Sequence, residues 1–357
     1  MSVFYKTSLS ITPNAVKKWG YGLLTSGILF SLTTLLTCYY LVKRPNILVG
    51  QGQQSVCIPP GMSFQELQYK LYQEGYLGNG VSFRLLAYLM RYDRQVGPGV
   101  YTLRPNMNNW QALSLLRSRA QSPVKITLHN LRTQADLAEK ITKNLWIAAE
   151  DFQRLLGDVA FLAPYGFHPD NVLAMFIPNT YEVYWTTTPQ TLFHRMYVEY
   201  TKFWNKERLA LARQLRLSPI EVTILASLVQ QETNKLSEAP IIAGVYINRL
   251  KRGMRLQSCA TLIHVVGDPT VTRVLNKHQQ IDSPYNTYLY TGLPPGPIAV
   301  PSIAMIDAVL HYQKHNYLYF SAKADFSGYH HFSTHFREHN RKGRHYRDAL
   351  NKAGIYR

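Results

Sequence analysis

The chain has 357 residues, with 39 Lys+Arg against 21 Asp+Glu and a formal charge of +18. Hydrophobic residues make up 46% and charged residues only 17%, which excludes a disordered or fibrous chain and allows a sizeable core. The cation excess predicts an anionic neighbour: nucleic acid, an anionic membrane surface or an acidic polymer. Cys38, Cys57 and Cys259 lie at no metal-like spacing, which excludes a disulfide framework as the main source of stability.

Residues 1–18 read as a short tail. From Trp19 to Val42 there is no charged residue, and Lys17, Lys18, Lys43 and Arg44 close the two ends. As a helix this run spans roughly 36 Å, enough to cross a bilayer with tilt. Trp19, Tyr21, Tyr39 and Tyr40 sit where an interfacial aromatic belt would. The run is long for a cleaved signal peptide and no A-x-A site follows it. Leu35-Leu36-Thr37-Cys38 is a poor lipoprotein box. The expectation is one uncleaved transmembrane helix over 19–42. Lys6, Lys17 and Lys18 weakly favour a cytoplasmic N-terminus, and the rest of the chain then lies outside the cytoplasm. That placement argues against nucleic acid as the partner.

Residues 43–54 read as a linker. Residues 55–123 suggest a small βαβ-like module. Val56-Cys57-Ile58 is a strand ended by Pro59-Pro60-Gly61. Ser63 caps a helix through Leu67 and Leu71 to Gly75, and the strand Gly99–Leu103 precedes a helix near Trp110–Arg117. Val124–Leu128 opens a second segment, with helices over Gln134–Leu145 and Ala149–Leu156. The aromatic run Phe176–Trp185 reads either as ordinary β-core or as a sugar-stacking surface. The fold class expected is α+β.

Ser218-Pro219-Ile220-Glu221 is a capping box with proline at the first helical position. The helix it starts carries an apolar stripe of Leu225, Leu228 and Val229, and the next position of that series is Glu232. A carboxyl on a buried stripe must be paired or keep its proton, and a retained proton is what a general acid needs. The bland alternative is a solvated carboxyl at a fraying helix end. A second helix begins at Ser237-Glu238, presents Asn248 and Arg249, and ends near Gly253. Leu256-Gln257-Ser258, Tyr285-Asn286-Thr287-Tyr288 and Gly292–Ile298 follow. Their Asn, Gln, Tyr and Thr side chains suit sugar hydroxyls and amides, and the Pro-Gly run fixes a rigid loop.

These blocks, from Ala226–Thr233 and Val245–Leu250 to Met254–Ser258, Ser283–Tyr288 and Gly292–Ile298, resemble the YceG-like family, whose members are endolytic murein transglycosylases. Ile177–Tyr181, Tyr317–Phe320 and Glu338–Asn340 are similar to further family blocks. The resemblance implies a LysM-like module over 55–123, a catalytic domain over 124–340 and a basic tail over 341–357. It implies Glu232 as the catalytic residue, with Gln230 where many members carry a second glutamate. Cys259-Ala260-Thr261 replaces the family's usual D-P-T, which bears on rate.

The implied reaction cuts the MurNAc–GlcNAc bond without water. Glu232 protonates the leaving oxygen and then, as carboxylate, takes the proton from the MurNAc C6 hydroxyl, giving a 1,6-anhydro end. Tyr285, Asn286 and Gln257 are expected to hold the glycan, together with Ser258, Thr287, Tyr288, Pro294 and Pro295. Asn248 and Arg249 are expected to shape the cleft. No cofactor or metal is expected. The resemblance further implies peptidoglycan strands, the inner-membrane bilayer and penicillin-binding proteins as partners. The tail after Asn340 resembles extensions in the Bacteroidota branch.

Three rivals remain. His331, His335 and His339 at i, i+4, i+8, near His330, could ligate zinc on one helix face, although no H-E-x-x-H is present. A non-catalytic, membrane-anchored wall-binding scaffold is the second. The third is a nucleic-acid binder, for which Arg337, Arg341, Lys342, Arg344, Arg347, Lys352 and Arg357 would be the contact strip.

Overall fold

A computed structural model describes residues 13–50, 52–129, 131–268 and 275–354, with backbone alone for 13–23. The fold is mixed α+β and divides into two compact units, 1–123 and 124–357.

The first unit opens with helix α1, Pro13–Lys43. Its stretch Leu24–Lys43 is long and apolar enough to cross a membrane. Most of its large apolar side chains, among them Leu29, Phe30 and Leu35, are exposed. The hydroxyls of Thr33, Thr34 and Thr37 donate to carbonyls four residues back, at 2.9, 2.7 and 2.8 Å. Hydroxyls satisfied inside the helix carry little penalty in lipid. Lys6 and the side chains of Lys17, Lys18, Trp19 and Tyr21 lie outside the described residues.

Strands β1 (Gln54–Ile58) and β2 (Gly99–Leu103) enclose helices α2 (Phe64–Gln73) and α3 (Gly80–Leu89), and α4 (Asn109–Ser118) follows. The Ser63–Glu66 capping box starts α2. The strands pair antiparallel, with Val56 opposite Tyr101, which corrects the βαβ-like reading. The cause is α3, which the sequence reading did not resolve. Two helices between the strands reverse the chain once more than one helix would. Within the expected linker, residues 45–47 are packed rather than loose. Pro45 bridges Asn108, Ile47 bridges Leu77, and Ile47 is buried. Asn46 donates to the Asn109 side chain at 2.6 Å, and Asn109 donates to the Leu41 carbonyl at 3.1 Å. Buried amides must find such partners.

The second unit has two apolar cores. The first gathers strand β3 (Val124–Thr127), helices α5 (Gln134–Thr142), α6 (Ala149–Leu156) and α7 (Val159–Leu162), strand β4 (Thr180–Val183) and helix α8 (Pro189–Phe203). Phe176 and Tyr181 are buried there, Tyr184 is exposed, and Trp185 packs on Trp146 at 5.2 Å. The inward half of the aromatic run is therefore β-core.

The second core surrounds α10 (Pro219–Glu232). It draws on α9 (Lys206–Leu215), α11 (Ala239–Lys251), α12 (Cys259–Val266) and α13 (Ile303–Leu310). Strands β5 (Tyr319–Ala322) and β6 (His330–Ser333) pair antiparallel, and α14 (Phe336–Lys352) packs on both. The 340/341 boundary falls inside α14, which runs on without a break. Lys342 bridges Glu338 at 2.6 Å and donates to the Phe332 carbonyl at 3.0 Å. His330 and His331 sit on β6, whereas His339 sits on α14 and stacks on Tyr319. These histidines do not share one helix face.

Candidate active site

Helix α10 starts as its sequence predicts. Ser218 accepts from the Glu221 amide at 3.2 Å, and Glu221 accepts from the Ser218 amide at 2.7 Å. Beyond the first turn the apolar stripe gives way to burial on every side, from Val222 to Val229. The reason is the number of its neighbours: α11, α13 and an irregular strap over 292–302. The strap follows α10 in the same direction. Leu293, Pro294 and Pro295 lie by Ser218–Ile224, the Ile298 amide donates to the Ser227 hydroxyl at 3.2 Å, and the Ser302 amide donates to Gln230 at 2.7 Å. Gln230 returns a bond to the Val300 carbonyl at 3.5 Å. An amide can both accept and donate; a carboxylate could only accept. The strap approaches Asp170 so closely that a Cβ on Gly296 would lie 1.7 Å from the Asp170 carbonyl oxygen.

Glu232 closes the helix, half-buried. Its Oε1 accepts from the Tyr246 hydroxyl at 2.8 Å and the Ser258 hydroxyl at 2.5 Å. Among the described residues no donor reaches Oε2. Burial, then the charge of Glu232, pushes the Tyr246 phenol well above its ordinary range, so this group stays a donor. Ser258 is itself fixed by a closed ring of bonds. Its amide donates to Thr287 Oγ1 at 3.0 Å, Thr287 meets Thr261 at 2.9 Å, and Thr261 donates to the Ser258 carbonyl at 2.8 Å. The preceding Gln257 holds a left-handed φ of 52°, and its amide donates to the Thr287 carbonyl at 3.0 Å.

The other predicted site residues separate into groups. Tyr285 donates to the Asp170 carbonyl at 3.1 Å and packs on His264; burial, then Asp170, pushes its phenol up to about 12. Tyr288 lies half-buried, its hydroxyl 3.1 Å from Cys259 Sγ. Burial raises that thiol's pKa, so it stays protonated although the residue is exposed. Asn286 is fully buried. It donates to the Gln279 and Ile281 carbonyls at 3.0 and 2.8 Å and accepts from the Tyr288 amide at 3.0 Å.

Asn248 donates to the His315 carbonyl at 2.7 Å and the Tyr317 carbonyl at 3.0 Å. Arg249 is buried over Tyr319 and donates to the Leu318 and Leu256 carbonyls at 2.6 and 2.8 Å. Pro294 and Pro295 line a separate cavity of about 490 Å³ at the first turns of α10, while Glu232 ends that helix. Sequence reading missed Tyr246 as a functional residue. Its signal was a tyrosine on a buried helix, whose hydroxyl must find a partner.

A half-buried carboxyl, gripped on one oxygen by two hydroxyls on an α+β frame, defines a candidate acid–base site. The chain belongs to the YceG-like family, whose profile matches residues 56–345. An endolytic murein transglycosylase of Bacillus subtilis is 39% identical over 38% of this chain and 37% of its own length. Another, from Streptococcus pneumoniae, is 27% identical over 75% of this chain and 54% of its own length. The chain thus spans about half or less of the length of these relatives. A YceG-like protein of Listeria monocytogenes, solved by crystallography, is 25% identical with a TM-score of 0.54, covering 82% of this chain and 99% of its own.

Proposed function

We propose that the chain is an endolytic peptidoglycan lytic transglycosylase, anchored by α1 with its N-terminus in the cytoplasm and its second unit on the outer face of the inner membrane. The observation that carries this is the carboxyl of Glu232, fixed through Oε1 by Tyr246 and Ser258. In this reading Oε2 handles the proton. It gives the proton to the oxygen leaving MurNAc C1 as the C1–O bond breaks. It then takes the proton of the MurNAc C6 hydroxyl as the C1–O6 bond forms. The intramolecular attack gains from high effective molarity. No nucleophilic carboxylate is required, which fits a single glutamate beside Gln230.

Gln257, Tyr285 and Tyr288 are proposed to hold the glycan. Ser258, Asn286 and Thr287 are proposed to hold the loop that carries them, and Asn248 and Arg249 to shape the cleft. Pro294 and Pro295 would contact a more distant part of the strand. The first unit is proposed as a LysM-like accessory. Cutting nascent strands near the membrane would limit their length, in company with wall-synthesis proteins such as penicillin-binding proteins.

The test is mass spectrometry of murein sacculi digested with the full-length protein in detergent, wild type beside Glu232→Gln. Anhydro-muropeptides from the wild type alone are expected. Anhydro ends at equal rate from folded Glu232→Gln would remove Glu232 from the reaction. Murein binding without anhydro ends from either would leave a scaffold.

A further inference from the structure

Helix α3 buries Ser82, Phe83, Leu86 and Ala87 against its own unit. Its opposite face should be polar if it met only water. Instead it presents Val81, Leu85, Tyr88 and Leu89, exposed by 77%, 45%, 48% and 68%, with Arg84 among them. Tyr69 and Tyr72 of α2 extend this surface and share with Arg84 and Tyr88 one shallow groove. Contiguous exposed apolar surface of this kind marks a contact.

The position of the face says what it contacts. The start of α3 is tied to the end of α1. Asn79 Nδ2 lies 3.5 Å from the Tyr40 hydroxyl, and Asn109 bonds both the Leu41 carbonyl and the Ser82 hydroxyl at 3.1 Å. Tyr40, Lys43 and Arg44 close the apolar stretch of α1, with Arg44 stacked over Tyr40 at 4.9 Å. If α1 spans the bilayer, these residues stand at headgroup level, and α3 begins there. Residues 43–123 carry nine Lys and Arg against three Asp and Glu, which complements anionic lipid. Tyr, Leu and Arg together are the composition of an interfacial helix, whereas aliphatic Val81, Leu85 and Leu89 offer little to a sugar.

We propose that the α2–α3 face rests on the bilayer that α1 enters, with Val81, Leu85, Tyr88 and Leu89 at the boundary between headgroups and acyl chains and Arg84 on lipid phosphate. This rests on α1 being the anchor.

The test uses the full chain with Cys38, Cys57 and Cys259 replaced by alanine, reconstituted into phosphatidylethanolamine–phosphatidylglycerol vesicles. A fluorophore is attached to a cysteine at one position: Leu85→Cys, Leu89→Cys, Ser118→Cys or Leu32→Cys. Lipid carrying a nitroxide just below the headgroup is expected to quench positions 85 and 89 roughly threefold more than the exposed position 118. Quenching at 85 and 89 no greater than at 118, with the α1 position 32 in contact with lipid, would overturn the proposal. The same holds if position 85 is shielded only when other membrane proteins are added. An unshielded position 32 would bring down the anchor itself, a separately readable result, and the proposal with it.

Discussion

The two ends of α10 are built from similar material for different ends. At its start, Ser218 and Glu221 satisfy each other's amides. At its finish, Glu232 takes hydroxyls from Tyr246 and Ser258, which stand 14 and 26 residues away in the chain. A carboxylate–hydroxyl motif closed within four residues ends a local need. One closed by distant elements positions an oxygen for something else. Between the two ends the strap over 292–302 tracks the helix, held by Ser227 and Gln230.

The contrast should break first at Glu232. Replacement by Gln is expected to lower anhydro-muropeptide release by roughly 10²–10⁴-fold, the usual contribution of a general acid–base residue, with the denaturation midpoint little changed. The reverse pattern is expected at Gly296→Ala. Its Cβ would collide with backbone at Asp170, so denaturant unfolding should show a loss on the order of 3 kcal/mol.

Ser258→Ala lies between these. One donor to Oε1 is lost while Tyr246 remains, and a rate fall of roughly ten- to a hundredfold is expected, given about 1.5–3 kcal/mol for a hydrogen bond to a charged group. A fall no larger for Ser258→Ala than for a surface serine would mean the second donor is idle. The smallest effect concerns pH. Burial holds His264 below its ordinary pKa, so the unfolded chain binds its proton more readily. Stability should therefore decline as pH drops below about 6.5, and His264→Gln should flatten that slope in urea titrations at several pH values.

What was legible in the sequence was local. The cap at Ser63 and the capping box at Ser218 are chemistry within four residues, and both helices start where these residues stand. Glu232 was reached from the position it shares with Leu225. Its partners were not, because no period connects residue 232 with 246 or 258. The second helix between β1 and β2 was missed because α3 carries apolar residues on both faces, and with it went the strand direction. Asn286 illustrates a different limit. A polar side chain that reads a ligand and one that closes a loop have the same donors and acceptors. Only placement shows that Asn286 meets Gln279, Ile281 and Tyr288.

The grip on Oε1 has a consequence for the order of events in the proposed reaction. If one oxygen is immobilised, a single remaining oxygen must serve two reacting groups in turn. The departing strand's hydroxyl must clear that point before the sugar's own C6 hydroxyl can occupy it. The site would then work as a turnstile, admitting one oxygen at a time. A departing strand that lingers would slow ring closure, so release of that strand and formation of the anhydro end should be kinetically tied.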